Sequence, residues 1–424
     1  MPDSIELTIE ALGAAGDGIA RLDGRTVFLP GTLPGERVRA HLAGKRGEAL
    51  LAEAEEVLIA SPDRATAPCP HFSVCGGCVV QHLAAAPYAA WKRARLIDAL
   101  ARAGFPDAPV GAQERTQPGT RRRADLALRR SPGGTVLLGF HRLGSDAVTD
   151  LTVCTVLDPR IVALFEPLRG LLKRLAALKR DGSAVVNLLD TGPDLLLRTD
   201  GVLDAPARSL LAAFAKDYGI PRIAWAQGNA PPETAAQLGS VGIAFAGTVV
   251  APPAGAFLQA SPAGEAAIIA AVLAGLPAKL PPRAAIADLF AGLGTLSFPL
   301  ATRARVMAFE SMTETVVALG AAAGKTGARV QAVRRDLDRQ PLVAKELQSY
   351  ATVVLDPPFN GAAAQVPLLA RSVVPRIIYV SCNPLALARD AQVLAQGGYK
   401  VLAATPVDQF LWSPHLESVV VFTR

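Results

Sequence analysis

The residues with the clearest chemical potential are cysteines. The chain has five of them, and Cys382 lies apart from the rest. It follows an apolar segment, 376–380, that predicts a buried strand, and Asn383-Pro384 comes directly after it. A cysteine between a strand and a chain-stopping proline is where an α/β protein would present a nucleophile. A small buried hydrophobe is the structural alternative, and the polar neighbours favour the nucleophile.

The spacing of the remaining cysteines indicates a metal centre. These candidate ligands are Cys69, Cys75, Cys78 and Cys154. Four thiolates are the number that a [4Fe–4S] cluster requires. Zinc also binds four cysteines, usually through two C-x2-C pairs, and only one such pair is present, although His71 or His82 could add a zinc ligand. We predict an iron–sulfur cluster with a structural role.

A glycine-containing turn near residue 290 predicts a nucleotide cofactor. An apolar strand ends at Asp288, and a turn containing Phe290, Gly292 and Gly294 opens the next helix. Glycines there let the backbone approach a ligand, and the helix start offers free N–H groups. This turn alone is a weak signal, because only two of the usual three glycines are present.

Carboxylates at the ends of the following strands sharpen the prediction. Glu310 ends the second strand and could accept both ribose hydroxyls, Asp336 follows the third and could meet an adenine amino group, and Asp356 follows the fourth. Asp356 is followed by two prolines. This series predicts S-adenosylmethionine, with NAD binding or a purely structural Rossmann-like domain as the alternative.

Cys382, Asp356 and a lone Glu417 fit one reaction. Carbon 5 of uracil attacks a methyl group only after a thiolate has added to carbon 6, and a base must then remove the carbon 5 proton. All three residues are predicted at the carboxyl edge of one sheet, although Glu417 by itself would more often be a surface acid. Because a free thiol has a pKa of about 8.5, we expect the site to lower the pKa of Cys382.

The chain is long enough for two or three domains. In 5–57, five short segments of strand character alternate with Gly and Pro turns, which predicts a small OB-like barrel. The middle mixes strands with helices, including one over 160–179, and from 262 onward strands and helices alternate, which predicts a doubly wound parallel sheet. The predicted fold is multidomain α/β, with an OB-like barrel at 1–58, a central α+β domain with the cluster at 59–260 and a Rossmann-like methyltransferase domain at 261–424.

Charge and cysteine content suggest a partner and a compartment. The net charge is +6, and arginines cluster at 121–123 and 129–130 on either side of a short apolar strand. Such clusters could hold a phosphate backbone, or could form a solvated basic edge. The N-terminus does not read as a signal peptide, and the apolar run 266–278 is too short to span a bilayer. Unpaired cysteines without an export signal favour the reducing cytoplasm, and a monomer is the default expectation.

With these motifs in place, the chain resembles the RNA uracil-5-methyltransferase family over nearly its whole length. The first 57 residues are similar to a TRAM domain, the segment 69–78 matches the family's cluster signature, and Cys154 falls where its fourth ligand would. The most specific match is 379–384, which implies that Cys382 is the nucleophile; 410–417 implies that Glu417 accepts the proton. The Phe-x-Gln segment at 257–259 implies that Gln259 contacts the methyl donor. Phe359 departs from the family, which commonly has arginine there.

The resemblance favours RNA as the partner and ribosomal over transfer RNA as the substrate, since a TRAM-like barrel plus a cluster is typical of members that act on large-subunit ribosomal RNA. Three other functions stay open. The Asp356-Pro-Pro-Phe359 segment also resembles adenine-amino methyltransferases, in which the aromatic ring stacks on a flipped base. A non-enzymatic RNA-binding protein and a cluster-containing oxidoreductase are the other two.

Overall fold

Three large β-sheets succeed one another along the chain in a computed structural model, which describes residues 4–424. The N-terminal sheet has six strands in the order β1–β5–β6–β4–β3–β2 and is antiparallel except for the parallel pair β4–β6. Alternating side chains such as Leu7, Val27 and Val38 form its buried core. Its strands are β1 (Ile5–Thr8), β2 (Ala11–Leu12), β3 (Gly18–Leu22), β4 (Arg25–Leu29), β5 (Arg37–Arg46) and β6 (Ala49–Ile59).

The second sheet has seven strands in the order β10–β9–β8–β11–β12–β13–β14, and only β12–β13 is a parallel pair. Helices α3 and α4 bury leucines against one face of it. The elements of this region are β8 (Arg123–Arg130), β9 (Val136–His141), β10 (Val148–Asp150), α2 (Pro159–Val162), α3 (Phe165–Arg174), β11 (Asp181–Leu189), β12 (Gly192–Thr199), α4 (Ala205–Asp217), β13 (Arg222–Gln227) and β14 (Glu233–Gln237), followed by the hairpin β15 (Ile243–Phe245) and β16 (Thr248–Val250).

The predicted helix over 160–179 is in fact two shorter helices, α2 and α3. Proline has no N–H and is tolerated in the first turn of a helix but not in its interior. Pro167 therefore lies in the first turn of α3, and a continuous helix would have placed it inside. The sequence prediction of a single helix is wrong for this reason.

The third sheet has eight strands in the order β19–β18–β17–β20–β21–β23–β22–β7. Strands β17 to β21 are parallel, and helices cover both faces, so the doubly wound arrangement is confirmed. Its elements are α5 (Pro262–Gly275), β17 (Ala285–Leu289), α6 (Ser297–Ala301), β18 (Arg305–Glu310), α7 (Thr313–Thr326), β19 (Val330–Arg334), α8 (Ala344–Leu347), β20 (Tyr350–Leu355), α9 (Val366–Ala370), β21 (Arg376–Ser381), α10 (Pro384–Gln396), β22 (Lys400–Asp408) and β23 (Glu417–Thr423).

Two elements from earlier in the chain, a helix and a short strand, pack with this third sheet. Helix α1 (Ala85–Arg102) packs Leu96 and Leu100 into the core that α9 and α10 share with the sheet, and β7 (Glu114–Arg115) adds an edge strand beside β22. The last strand, β23, runs antiparallel to both neighbours, so the sheet is mixed rather than wholly parallel. None of the helices within 4–424 combines the length and the apolarity needed to cross a membrane.

Candidate active site

One edge of the third sheet brings the predicted nucleophile, base and acid together. Cys382 follows β21, and Asp356 follows the neighbouring parallel strand β20. Glu417 begins β23, whose antiparallel direction brings its first residue to the edge where the parallel strands end, with Ser418 paired to Ser381. The predicted juxtaposition of the three side chains at one edge is therefore confirmed.

Two glutamines join the carboxylates in a hydrogen-bonded chain. Gln259 Nε2 donates to Asp356 Oδ2 (3.0 Å), and Gln409 Nε2 donates both to Gln259 Oε1 (2.7 Å) and to Glu417 Oε2 (2.9 Å). Gln409 Oε1 accepts from the backbone N–H of Ala260 (3.0 Å), which fixes the orientation of its amide. Gln259, Gln409 and Glu417 are all buried, so this series of hydrogen bonds is shielded from water.

Both carboxyl groups have pKa values raised into the range around neutral pH. Burial and the nearby charge of Asp356 together raise the pKa of Glu417 to about 8, against the hydrogen bond from Gln409. Burial likewise raises the pKa of Asp356 to about 7, against the hydrogen bond from Gln259. Side chains of this kind can gain or lose a proton around neutral pH, which suits acid–base chemistry.

The pKa of Cys382 is raised rather than lowered. Burial raises the pKa of this thiol to about 12, and the charges of Glu417 and Asp356 act in the same direction. The sequence prediction of a lowered pKa is therefore wrong, because burial and two neighbouring acids disfavour the thiolate. One feature acts in the opposite sense: α10 begins two residues after Cys382, and a helix N-terminus favours a thiolate.

A cavity of about 910 Å³ opens beside this edge, between the second and third sheets. Its size is within the range of small-molecule and cofactor sites. The cavity is lined by five of the predicted cofactor residues: Phe290, Gly292, Glu310, Asp336 and Asp356. The two remaining predicted residues lie behind this wall. Gln259 is buried against Asp356, and a Cβ at Gly294 would come within 2.7 Å of the Phe298 ring, so a glycine is needed there for packing.

The turn after β17 is fixed by the next strand. The backbone N–H of Gly292 donates to Glu310 Oε2 (3.0 Å), and Glu310 Oε1 accepts from the N–H groups of Ser311 (2.7 Å) and Met312 (2.9 Å). Phe290 has φ +62°, which is uncommon for a residue with a side chain and occurs where backbone strain is maintained at functional sites. Glu310 is thereby held rigidly at the cavity wall.

A buried ion pair fixes the segment that precedes Glu417. Lys92 of α1 lies 2.9 Å from Asp408 Oδ1, and its Nζ donates to the carbonyls of Phe410 (3.1 Å) and His415. Tyr88 donates to the second oxygen of Asp408 (2.5 Å). Burial lowers the pKa of Lys92 to about 8 in spite of its partner. Segment 408–416 is therefore tied to α1 from both ends.

The four clustered cysteines line a second cavity, of about 720 Å³, where the N-terminal sheet meets segment 410–415. Burial raises the pKa of the Cys78 thiol to about 12, and the charges of the other three thiols contribute. Within residues 4–424, however, no group of three or more His, Cys, Asp or Glu side chains is arranged to hold a metal ion. The predicted iron–sulfur cluster is thus not confirmed by the side-chain arrangement.

Comparison with known proteins supports one family. Residues 283–424 match the family model described as tRNA (Uracil-5-)-methyltransferase, and 3–52 match the TRAM domain. A protein of Pectobacterium carotovorum named 23S rRNA (uracil(1939)-C(5))-methyltransferase RlmD is 33% identical, over 99% of this chain and 94% of its own. The chain belongs to the RNA uracil-5-methyltransferase family. A protein of Caulobacter vibrioides named "Uncharacterized RNA methyltransferase" is 40% identical, over 99% of this chain and 100% of its own.

A solved structure of a family member shares the fold. The tRNA (uracil-54, C5)-methyltransferase of Pyrococcus abyssi, determined with S-adenosyl-L-homocysteine, superposes with a TM-score of 0.74 at 20% identity and covers 99% of this chain and 100% of its own. The resemblance stated from the sequence is confirmed, as is an N-terminal TRAM domain followed by a C-terminal methyltransferase fold.

Two residues of this site were not predicted from the sequence. Gln409 contacts both Gln259 and Glu417. Lys92 fixes the segment 408–416, which precedes Glu417. Neither Gln409 nor Lys92 belongs to a recognisable motif. In the sequence alone, Gln409 has the appearance of a surface residue, because it is polar and follows an acid. A lysine on a helix is ordinarily solvated, and only its complete burial reveals its role.

Proposed function

We propose that this protein methylates carbon 5 of a uridine in RNA through a covalent bond from Cys382. The observation that carries the proposal is the convergence of Cys382, Asp356 and Glu417 at one sheet edge, directly beside a cofactor-sized cavity that Asp356 also lines. Adenine-amino methylation would have no use for either Cys382 or Glu417.

The three side chains account for each step at the uracil ring. The thiol proton of Cys382 passes to solvent, Sγ bonds to carbon 6, and the electron pair of the carbon 5–carbon 6 double bond moves to the ring oxygen, where protonated Asp356 can donate a hydrogen bond. S-adenosylmethionine, when bound, supplies an electrophilic methyl group for carbon 5. Glu417 then removes the carbon 5 proton, the double bond re-forms, and Cys382 leaves as the thiolate.

The cavity suits this methyl donor. Glu310 and Asp336 would meet its ribose and adenine, while Phe290 and Gly292 form the adjoining wall. Burial raises the pKa of Asp288 to about 7, and the charges of Asp356 and Glu310 add to this effect. A cluster of acids is a favourable environment for a sulfonium cation, which would in turn favour the Cys382 thiolate electrostatically.

We also propose that the four clustered cysteines hold a [4Fe–4S] cluster. Their thiols line one cavity, and each iron of such a cluster takes a single thiolate, so the ligands lie further apart than around one ion. The cluster would link residues 69–78 to Cys154 and so support segment 410–415. Anaerobic purification followed by iron and sulfide analysis tests this, and one zinc per chain without sulfide would contradict it.

We propose 23S ribosomal RNA as the substrate, because the Pectobacterium relative is named for it and matches along nearly its entire length. In this proposal residues 1–58 form an OB-like RNA-binding barrel, 59–260 the central domain and 261–424 the methyltransferase domain. One chain supplies every residue that the reaction uses, so we expect a monomer. Within residues 4–424 the five cysteines form no disulfide, which suits a reducing cytoplasm.

The deciding experiment is tritium release from RNA labelled at uracil carbon 5. Anaerobically purified protein would be incubated with S-adenosylmethionine and either 23S ribosomal RNA or transfer RNA. We expect release from ribosomal RNA that is lost in Cys382→Ala, and a protein–RNA adduct that accumulates in Glu417→Gln. Methylation without tritium release would overturn the covalent mechanism in favour of adenine-amino chemistry, and release from transfer RNA alone would overturn the substrate assignment.

A further inference from the structure

An exposed aromatic residue lies on the loop that presents Asp356. Phe359, three residues further along, has 51% of its surface exposed. The intervening Pro358 lines the cofactor cavity, so Phe359 stands at its rim. Exposing a large ring costs hydrophobic stabilisation, and such a ring beside an active site is a candidate contact for a ligand.

The loop is held firmly although its ring is exposed. Asn383, next to Cys382, donates from Nδ2 to the Phe359 carbonyl (3.0 Å), and Arg389 of α10 donates to the Asn360 carbonyl (2.6 Å). Gly361 has φ +78°, and a Cβ there would lie 2.6 Å from Arg389, so the backbone approaches α10 as closely as a glycine allows. Phe359 is therefore fixed relative to the nucleophile.

Two further rings complete an aromatic corner. The His415 ring meets the Phe359 ring at 5.5 Å between centroids and 84°, and the Phe410 ring at 6.1 Å and 78°. Both Phe359 and His415 are exposed, and Phe410 is half-buried behind them. Phe359 keeps half of its surface exposed within this arrangement, so part of its ring is open to stacking by another ring.

We infer that Phe359 is a stacking platform for the nucleotide next to the target uridine. The inference rests on the proposed function. Single-stranded RNA bases that have lost their neighbours regain stacking on aromatic side chains. The target uracil must reach Cys382 and the buried Glu417, whereas Phe359 is exposed at the rim, so the flanking base rather than the target meets it.

The first test separates affinity from chemistry. Loss of one base-stacking ring weakens RNA binding by about 5- to 150-fold. Phe359→Ala should therefore raise the KM for an RNA oligonucleotide substrate within that range and leave kcat nearly unchanged, while Phe359→Tyr should behave like the wild type. Val373 is 70% exposed and lies three residues before β21, on the side away from Cys382, so Val373→Ala is the matched control.

The second test locates the base. Wild type and Phe359→Ala would be compared on oligonucleotides that carry an abasic nucleotide on the 5′ or the 3′ side of the target uridine. We expect the KM difference between the two proteins to disappear with one of these RNAs and to persist with the other. A difference that persists undiminished with both, or no difference on the intact RNA, would overturn the inference.

Failure of this inference is distinguishable from failure of the proposed function. If the wild type releases no tritium from any RNA, the proposed reaction is wrong. If the wild type releases tritium and Phe359→Ala has the same KM, only the stacking platform is wrong. Equal thermal unfolding of Phe359→Ala and Val373→Ala ensures that the comparison concerns binding rather than folding.

Discussion

At the scale of single residues, the chemistry depends on three groups whose charges oppose one another. Glu417 and Asp356 both raise the pKa of Cys382, and Asp356 also raises that of Glu417. Ionising any one of them in the free protein therefore makes the next ionisation harder. In the free protein, Cys382 and Glu417 therefore tend to hold their protons, which must leave before Cys382 can attack and Glu417 can act as a base.

Replacing Glu417 should change the reactivity of Cys382 in a pH-dependent way. Glu417 has a pKa of about 8, so its charge is present at pH 9 and largely absent at pH 6.5. Glu417→Gln removes that charge and lowers the pKa of Cys382. We expect iodoacetamide to alkylate Cys382 about three- to tenfold faster in the variant at pH 9, and at nearly equal rates at pH 6.5.

Peptide mass spectrometry measures this reaction at Cys382 separately from the other thiols. The rate ratio at pH 6.5 serves as the internal reference, because Glu417 carries little charge there. A rate ratio that is the same at both pH values would contradict the assigned coupling between Glu417 and Cys382.

Gln409 should matter for catalysis beyond its effect on stability. Gln409→Met keeps the volume but leaves Glu417 Oε2 and Gln259 Oε1 without their donor. A buried polar atom without a partner costs about 1–3 kcal/mol, and a misplaced base slows proton removal. We expect kcat for tritium release to fall by about 10- to 100-fold.

Gln365 provides the matched control. It is fully buried and makes two hydrogen bonds to the backbone of Leu342, away from the sheet edge. Gln365→Met should lower the free energy of unfolding by a similar amount and leave kcat unchanged. Equal kcat values for the two variants would show that Gln409 is merely structural.

Much of the site could be predicted from residue types because strand ends concentrate chemistry. Cys382 and Asp356 follow apolar strands, so topology alone brings them together. The pKa of Cys382 could not be predicted, since it depends on burial and on the charge of Glu417, which is distant in sequence. Gln409 was missed for the same reason: its partners are contacts through space.

At the scale of elements, α1 controls the segment that delivers Glu417. Lys92→Met would leave Asp408 charged, buried and without its cation. Breaking one side of a buried pair costs about 3–5 kcal/mol. We expect that loss in the free energy of urea unfolding, together with a kcat lowered at least about tenfold, because 408–416 also loses its hydrogen bonds from Lys92.

The buried Arg169 in the second sheet region offers a comparison. Its guanidinium pairs with Asp150 at 2.7 Å, far along the chain from Glu417. Arg169→Met should destabilise the protein without lowering kcat at temperatures where both variants are folded. A kcat for Lys92→Met equal to that of Arg169→Met would contradict the positioning role of α1.

Element types were easier to predict than their directions. Alternating strands and helices gave the doubly wound sheet, but the antiparallel direction of β23 has no local signal. It follows from the connection after β22, where segment 409–416 turns back instead of crossing over through a helix. That same reversal brings Glu417 to the edge that holds Cys382.

At the scale of the whole molecule, the N-terminal sheet and the catalytic segment share a core. Leu33, in the loop between β4 and β5 of the first sheet, packs in one cluster with Tyr88 of α1 and with Leu411 and Trp412 of the segment before Glu417. The half-buried Cys78 packs against the same cluster. The predicted RNA-binding module is therefore joined mechanically to the active site as well as through the chain.

Removing that contact should reduce turnover as well as RNA affinity. Leu33 is fully buried, and Leu33→Ala would create a cavity beneath Trp412 at a cost of about 2–5 kcal/mol. We expect kcat on a short oligonucleotide to fall about tenfold, since a 1 Å displacement of catalytic groups is enough for such a loss. Leu7→Ala, in the separate core of the first sheet, should cost similar stability but retain most of kcat. If both variants changed only KM, the first sheet would act solely by binding RNA, and the shared core would have no part in positioning Glu417.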